Sequence, residues 1–259
     1  MISCIIAVMD RDVALRNMLP SWTNIDKIKD FVIVDWSSKT PIIEDDVVQS
    51  EMLKNKNIKI IRVENQKYFY RCLAWNLAFQ NTNPENKILL KLDADYMNIN
   101  ANWMNRLAIQ DDLCLDNYFI TGDPRFKYQY TGFLLVNKRD FGSGYNEQLP
   151  PTYGSEDFDL YNKLKLAPPK PYASTHNPYP HLVTHIPFFN IEEYIYHIDH
   201  SDYSRAINSP MRNLFDLKTA KPRDYLPSAN FKFIISKEES IKKYKILTES
   251  ENYTRVEAI

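Results

Sequence analysis

The chain is short of glycine, with 5 in 259 residues and none in AVMDRDVALRN, the stretch around the end of its first apolar run. A glycine-rich phosphate loop after a first strand is therefore not expected. Abundant Asn, Lys and Ile accompany the low count, a compositional drift without functional meaning. Cysteine is scarce too: Cys4, Cys72 and Cys114 are odd in number, far apart and set among apolar residues. That argues against a disulfide framework and for free thiols in a reducing, cytoplasmic compartment. The longest apolar run, Cys4 to Met9, is too short to span a bilayer and has no basic leader before it, so neither a membrane segment nor a signal peptide is expected. No basic block occurs and the net charge is −1, which leaves no electrostatic grip for sequence-independent binding of nucleic acid.

What is present is the balance of an ordered globular fold: 44% hydrophobic, 25% charged and 13% aromatic residues. At this length the core can be one large domain or two small ones. The first half alternates between two periodicities. ISCIIAVM (Ile2 to Met9), FVIVD (Phe31 to Asp35), IKIIRV (Ile58 to Val63) and KILLKLD (Lys87 to Asp93) read as strands. Val13, Leu15, Met18, Leu19 and Trp22 recur near helical spacing, and Leu73 and Leu77 stand four apart in FYRCLAWNLAF. Such alternation predicts an α/β fold with a mostly parallel central sheet and helices on both faces. Ligands of these sheets bind outside the carboxyl ends of the strands, where Asp10, Asp35, Asp93 and Asp95 fall.

Beyond Trp103 the pattern predicts strands at YFIT and YTGFLLV, a helix from about Ser155, short strands at LVTHI and YIYHI, and a helix near Ser204 to Leu217. APPKPYASTHNPYP (Ala167 to Pro180) must be a loop, because proline neither continues a helix nor donates to a sheet ladder.

Three groups of residues could carry chemistry. In an extended chain residues two apart share a side, so Asp93 and Asp95 of KLDADY would present two like charges together. A hard divalent ion shared with substrate phosphates would relieve that repulsion, whereas an isolated pair of this kind is more often a solvated turn. In YGSEDFDLYNKL, Ser155 suits a helix N-cap and Glu156 and Asp157 suit the helix dipole; a carboxylate there could also take a proton from a substrate hydroxyl. Phe158, Tyr161 and Leu164 form the expected buried stripe. The third group is HIDHSD, whose His197 and His200 could be core residues, exposed ones or ligands of a transition metal.

Together, and in this order, these segments resemble the inverting GT-A nucleotide-sugar glycosyltransferases over Ile2 to about Arg205. The likeness is to the family-2 type, including chondroitin-polymerase-like catalytic domains, and to the C-terminal region of β-1,4-galactosyltransferases. FVIVDWSS stands where such enzymes end an apolar strand in an aspartate and small residues, and KLDADY resembles their DxD motif. IRVENQKYFYRCLAWNLAF is similar to the segment before it. The most specific match is DFGSGYNEQLPPTYGSEDFDLYNKL, with its Gly-Tyr-Asn turn and aromatic-Gly-x-Glu-Asp-x-Asp-Leu pattern.

The resemblance implies a GT-A domain over 1–225, divided into a nucleotide-sugar half at 1–100 and an acceptor half at 101–225, with a strand and helix extension at 226–259. It implies that Asp35, Asp93, Ala7 and Arg71 serve the nucleotide of a UDP-sugar donor. Asp95 would hold Mn²⁺ or Mg²⁺, with His200 preferred over His197 as a further ligand. Asp157 would be the general base, Glu156 its acceptor-binding companion, and Tyr153, where tryptophan is usual, a stacking surface for a carbohydrate or glycoconjugate acceptor. A GT-A module that binds nucleotide sugars without turnover is the alternative of another class. A nucleotidyltransferase is disfavoured by the missing glycine-rich loop.

Overall fold

Seven consecutive apolar or small residues make β1 (Ile2–Val8), and all seven are buried, as befits a strand flanked by parallel neighbours and covered on both faces. The computed structural model describes residues 1–54, 57–106, 118–122, 130, 132–142, 144–147, 149, 156–165, 184–188, 190–198 and 244–258. β1 pairs in parallel with β2 (Ile28–Trp36) on one side and β4 (Ile88–Leu92) on the other, while β2 pairs in parallel with β3 (Ile58–Glu64). The chain thus winds outward through β1, β2 and β3, then returns to the far side of β1. That reversal opens a crevice between the carboxyl ends of β1 and β4.

Past β4 the sheet becomes mixed. β7 (Leu134–Asn137) lies antiparallel to β4 and to β6 (Tyr118–Gly122), and β6 runs parallel to β8 (Thr184–Phe188). At the other edge β11 (Tyr253–Ala258) runs parallel beside β3 and β10 (Tyr244–Glu249) folds back on it. The strands of the expected C-terminal extension therefore join the same sheet, which has nine strands among the described residues. β5 (Tyr96–Asn98) and β9 (Ile195–His197) make a separate antiparallel pair.

Alternate strand residues feed two apolar layers. Cys4, Ile6, Val8, Phe31, Ile33, Leu90 and Leu92 face α1 (Asp12–Thr23), whose Leu15, Met18, Leu19 and Trp22 are buried at spacings of three and four. Val13, expected in that stripe, is instead 54% exposed; two residues from Leu15, it lies about 200° round the helix. α2 (Asp46–Lys54) packs beside α1. On the other face Ile5, Ala7, Val32, Val34 and Leu89 meet α3 (Arg71–Gln80) and α6 (Glu156–Lys165). α6 buries Leu160, Tyr161 and Leu164, which includes two members of its predicted stripe. Two short helices, α4 (Trp103–Arg106) and α5 (Lys138–Phe141), are also present. Cys4 and Cys72 are buried free thiols, and burial pushes both well above the ordinary thiol value. No helix among the described residues is long and apolar enough to cross a membrane. The proline-rich loop, the helix expected near Ser204 and Cys114 lie outside the described residues.

Candidate active site

Loops that follow β1 and β2 must turn sharply, yet the sequence has no glycine before Gly122. Asp10 (φ 54°) and Ser37 (φ 57°) take the left-handed conformation instead, a cost that local hydrogen bonds offset. Asp10 donates its N–H to Ser38 Oγ at 3.0 Å and accepts the Lys39 N–H at 2.8 Å. Asp35, 0% exposed, accepts the N–H groups of Ser38 (3.0 Å) and Ile42 (3.2 Å) and pairs with the Arg62 guanidinium. Arg62 also reaches Ser38 O at 3.0 Å and Glu64 at 3.1 Å, and Arg255 of β11 approaches Glu64 to 2.9 Å. The Asp35 carboxylate is thus enclosed by the loop it organises.

The KLDADY segment differs from its expected geometry. β4 ends at Leu92, and the Tyr96 N–H donates to Asp93 O at 3.2 Å, so Asp93 to Tyr96 is a turn rather than extended chain. The alternation that would put both carboxylates on one side stops where the ladder stops. Asp93 points to Lys91 and Asp95 to His197, and the two acids have different neighbours. Asp93 Oδ1 accepts from Lys91 Nζ at 2.8 Å, with the carboxylate side chain 39% exposed. Gly132, just before β7, makes room for it: a Cβ there would lie 2.0 Å from Asp93 Oδ2.

Lys91 is the group that sequence reasoning missed. Its side chain is 1% exposed, and a buried ammonium needs partners. It has two carboxylates, Asp93 and, at 3.1 Å, Asp157 Oδ1 at the start of α6, and its Nζ sits 4.6 Å above the Trp75 ring. Burial works against the charge, but Asp157 and Asp93 outweigh it and raise the lysine pKa above its ordinary value. Burial also raises the Asp157 carboxyl, to about 6; Lys91 opposes that rise, and Asp93 and Glu156 add to it. Tyr145 Oη donates to the same Asp157 oxygen at 3.0 Å. Tyr145 is itself held by buried Asn76 of α3, which accepts the Tyr145 N–H at 2.7 Å and donates to Tyr145 O at 2.9 Å. The available signal for Lys91 was a lysine inside an apolar strand, a position lysine occupies only when paired.

Asp95 lies against the β5/β9 ribbon. The Ile198 N–H donates to Asp95 O at 2.7 Å, and His197 Nε2 stands 3.8 Å from Asp95 Oδ2. His197 is cross-strand partner to Tyr96 and buried. A carboxylate with an imidazole suits Mn²⁺, and two protein donors suit an ion that takes its other ligands from water and phosphate oxygens. Among the described residues no group of three or more His, Cys, Asp or Glu side chains could hold a metal ion. His200 lies outside the described residues, as does Tyr153. Glu156 is buried with its carboxylate 3.6 Å from Arg71 Nε, which joins the first turns of α3 and α6. Ala7 is buried in the apolar layer under α3.

The sequence matches no family model and no curated protein. Solved structures do resemble the fold. A variant of Drosophila β-1,4-galactosyltransferase 7 in complex with manganese, UDP-Gal and xylobiose superposes with a TM-score of 0.58 and 15% identity, over 100% of this chain and 93% of that one. The catalytic domain of the same Drosophila enzyme with xylobiose gives 0.54, at equal identity and coverage. S. aureus TarS gives 0.53 and 12% identity over 86% of this chain and 76% of that one. The chain therefore has the GT-A fold: a mostly parallel α/β sheet with helices on both faces.

Proposed function

We propose that the chain is a metal-dependent inverting glycosyltransferase that moves a sugar from a UDP-sugar to a hydroxyl of a glycan or glycoconjugate. The observation that carries this reading is the meeting of Asp93 and Asp157 on Lys91, with Asp95 in the turn that follows, at the carboxyl end of β4. A donor-side acid, a metal-side acid and a base are then neighbours. The Drosophila structure, which shares the fold, was solved with manganese, UDP-Gal and xylobiose, and its complex supports the same class of ligands here.

Asp93 contacts the ribose or phosphates of the donor, and Arg71 and the carboxyl end of β1 beside Ala7 border the nucleotide. Asp35, being enclosed, acts on the donor through the Ser37–Ser38 loop that it holds. Asp95 and His197, with His200 as a further candidate, would hold Mn²⁺ or Mg²⁺, which stabilises negative charge on a diphosphate leaving group. Asp157 receives the proton of the acceptor hydroxyl. As that O–H breaks, the acceptor oxygen bonds to the anomeric carbon, and the bond from that carbon to the diphosphate oxygen breaks with its electron pair leaving on UDP. One displacement from the opposite face inverts the anomeric centre. Glu156 and Tyr153 orient the acceptor, and holding both substrates in line supplies further rate.

Isothermal titration with UDP tests the donor site. Binding that depends on Mn²⁺ is expected, and binding that is absent or indifferent to metal refutes it. Screening UDP-Gal, UDP-GalNAc, UDP-Glc and UDP-GlcNAc for metal-dependent UDP release tests turnover and separates the enzyme from a binding module.

A further inference from the structure

Resting on that reading, the surroundings of Asp157 assign roles to its two oxygens. Lys91 Nζ and Tyr145 Oη both donate to Oδ1, at 3.1 and 3.0 Å. Neither donates to Oδ2. The donors come from different elements: Lys91 from β4, and Tyr145 from the segment that follows α5, where Asn76 accepts its N–H and donates to its carbonyl oxygen. Gly144 at φ +64° allows that grip, because a Cβ there would lie 2.2 Å from Asn76 Oδ1. Lys91 meets Asp93 as well, so one buried ammonium spans the donor-side acid and the base.

We infer that Lys91 and Tyr145 are positioning residues that clamp Asp157 Oδ1, leaving Oδ2 as the oxygen that takes the acceptor proton, and that Lys91 keeps the base ionised while tying its placement to Asp93. A carboxylate fixed by two donors cannot rotate to exchange its oxygens without breaking both bonds. Oδ2 is thereby presented in a constant direction, as general-base catalysis requires. The balance of charge also needs Lys91. Asp93 from β4 and Glu156 from its own helix face Asp157 with like charge, Tyr161, Tyr145 and Cys72 of α3 face it as neutral groups, and Arg71 is engaged with Glu156. Lys91 is the cation hydrogen-bonded to Asp157.

The test follows the protonation of Asp157 by infrared difference spectroscopy against Asp157→Asn in substrate-free protein, so it stands whether or not the donor assignment holds. Lys91→Met should move the Asp157 titration upward by about one pH unit or more, and Lys91→Arg should restore most of it. Tyr145→Phe uncovers no charge and serves if Lys91→Met does not fold; it should move the titration upward by less. Where a UDP-sugar is turned over, the acid limb of kcat should follow the same order, with KM for donor little changed in Tyr145→Phe and raised in Lys91→Met, which also releases Asp93. An Asp157 titration unmoved in folded Lys91→Met or in Tyr145→Phe would overturn the inference, as would Lys91→Arg behaving like Lys91→Met.

Discussion

Gly132 has space for a hydrogen where any other residue places a carbon, and Gly132→Ala turns that into a test of Asp93. The added Cβ would sit 2.0 Å from Asp93 Oδ2 and 2.3 Å from its Cγ, well inside ordinary van der Waals contact at 3.4 Å or more. One side must give. Gly132 is pinned by its N–H bond to the buried Tyr96 hydroxyl at 3.0 Å, whereas the Asp93 side chain is 39% exposed. Asp93 therefore swings away, and its bond to Lys91 stretches or breaks. Overpacking of this kind costs about 1–3 kcal/mol. Because Asp93 escapes toward solvent, little of that strain stays in the fold and most falls on ligands that need the carboxylate in place. At ~1.4 kcal/mol per tenfold, UDP should bind roughly tenfold to a hundredfold more weakly in the presence of Mn²⁺, with only a small fall in Tm. Titration calorimetry and a thermal melt of the same sample decide it. UDP affinity equal to wild type in folded Gly132→Ala would refute a donor-side role for Asp93.

Asp157→Asn should leave Mn²⁺-dependent UDP binding nearly intact while lowering transfer by about 10²–10⁴-fold; equal loss of both in calorimetry and UDP-release assays would make the residue structural. Since burial raises the Asp157 carboxyl to about 6, the base is protonated below that pH, so kcat should fall as pH drops through about 6 rather than near the usual carboxylate range; a pH–rate profile flat to pH 5 would contradict it. His197→Ala should abolish the Mn²⁺ dependence of UDP binding while leaving weak metal-free binding, read by the same titration. Arg62→Met strips the enclosed Asp35 of its counter-ion, a change that typically costs about 3–5 kcal/mol, and urea unfolding should show that loss.

The parallel half of the fold was legible because buried parallel strands are written as near-continuous apolar runs, which ISCIIAV shows almost throughout and which FVIV and the alternate residues of IKIIRV carry within β2 and β3. The misreading of KLDADY came from applying strand alternation past the last ladder bond. Nothing in the local sequence marks where pairing stops; β4 pairs with β1 as far as Leu92 and with β7 only from Lys91 back to Ile88, so its end is set by strands distant in sequence. Val13 failed for a simpler reason: an apolar residue near a helical stripe need not be on it.

Lys91 explains why the site itself was only half legible. Its partners lie 2 and 66 residues away, and the nearer contact alone says only that a strand-end lysine has a carboxylate beside it. The meaning comes from the farther one, which depends on α6 starting at Glu156 beside the end of β4. A sequence shows that a lysine at position 91 must be compensated; it does not show that the compensation doubles as the support of a base. Burying this cation is expensive, and replacing a buried ionic cluster with apolar side chains is often neutral or stabilising. Stability is therefore a poor reason for Lys91, Asp93 and Asp157 to share one buried contact, whereas holding one oxygen of Asp157 still and leaving the other for a substrate proton is a reason that an apolar replacement could not serve.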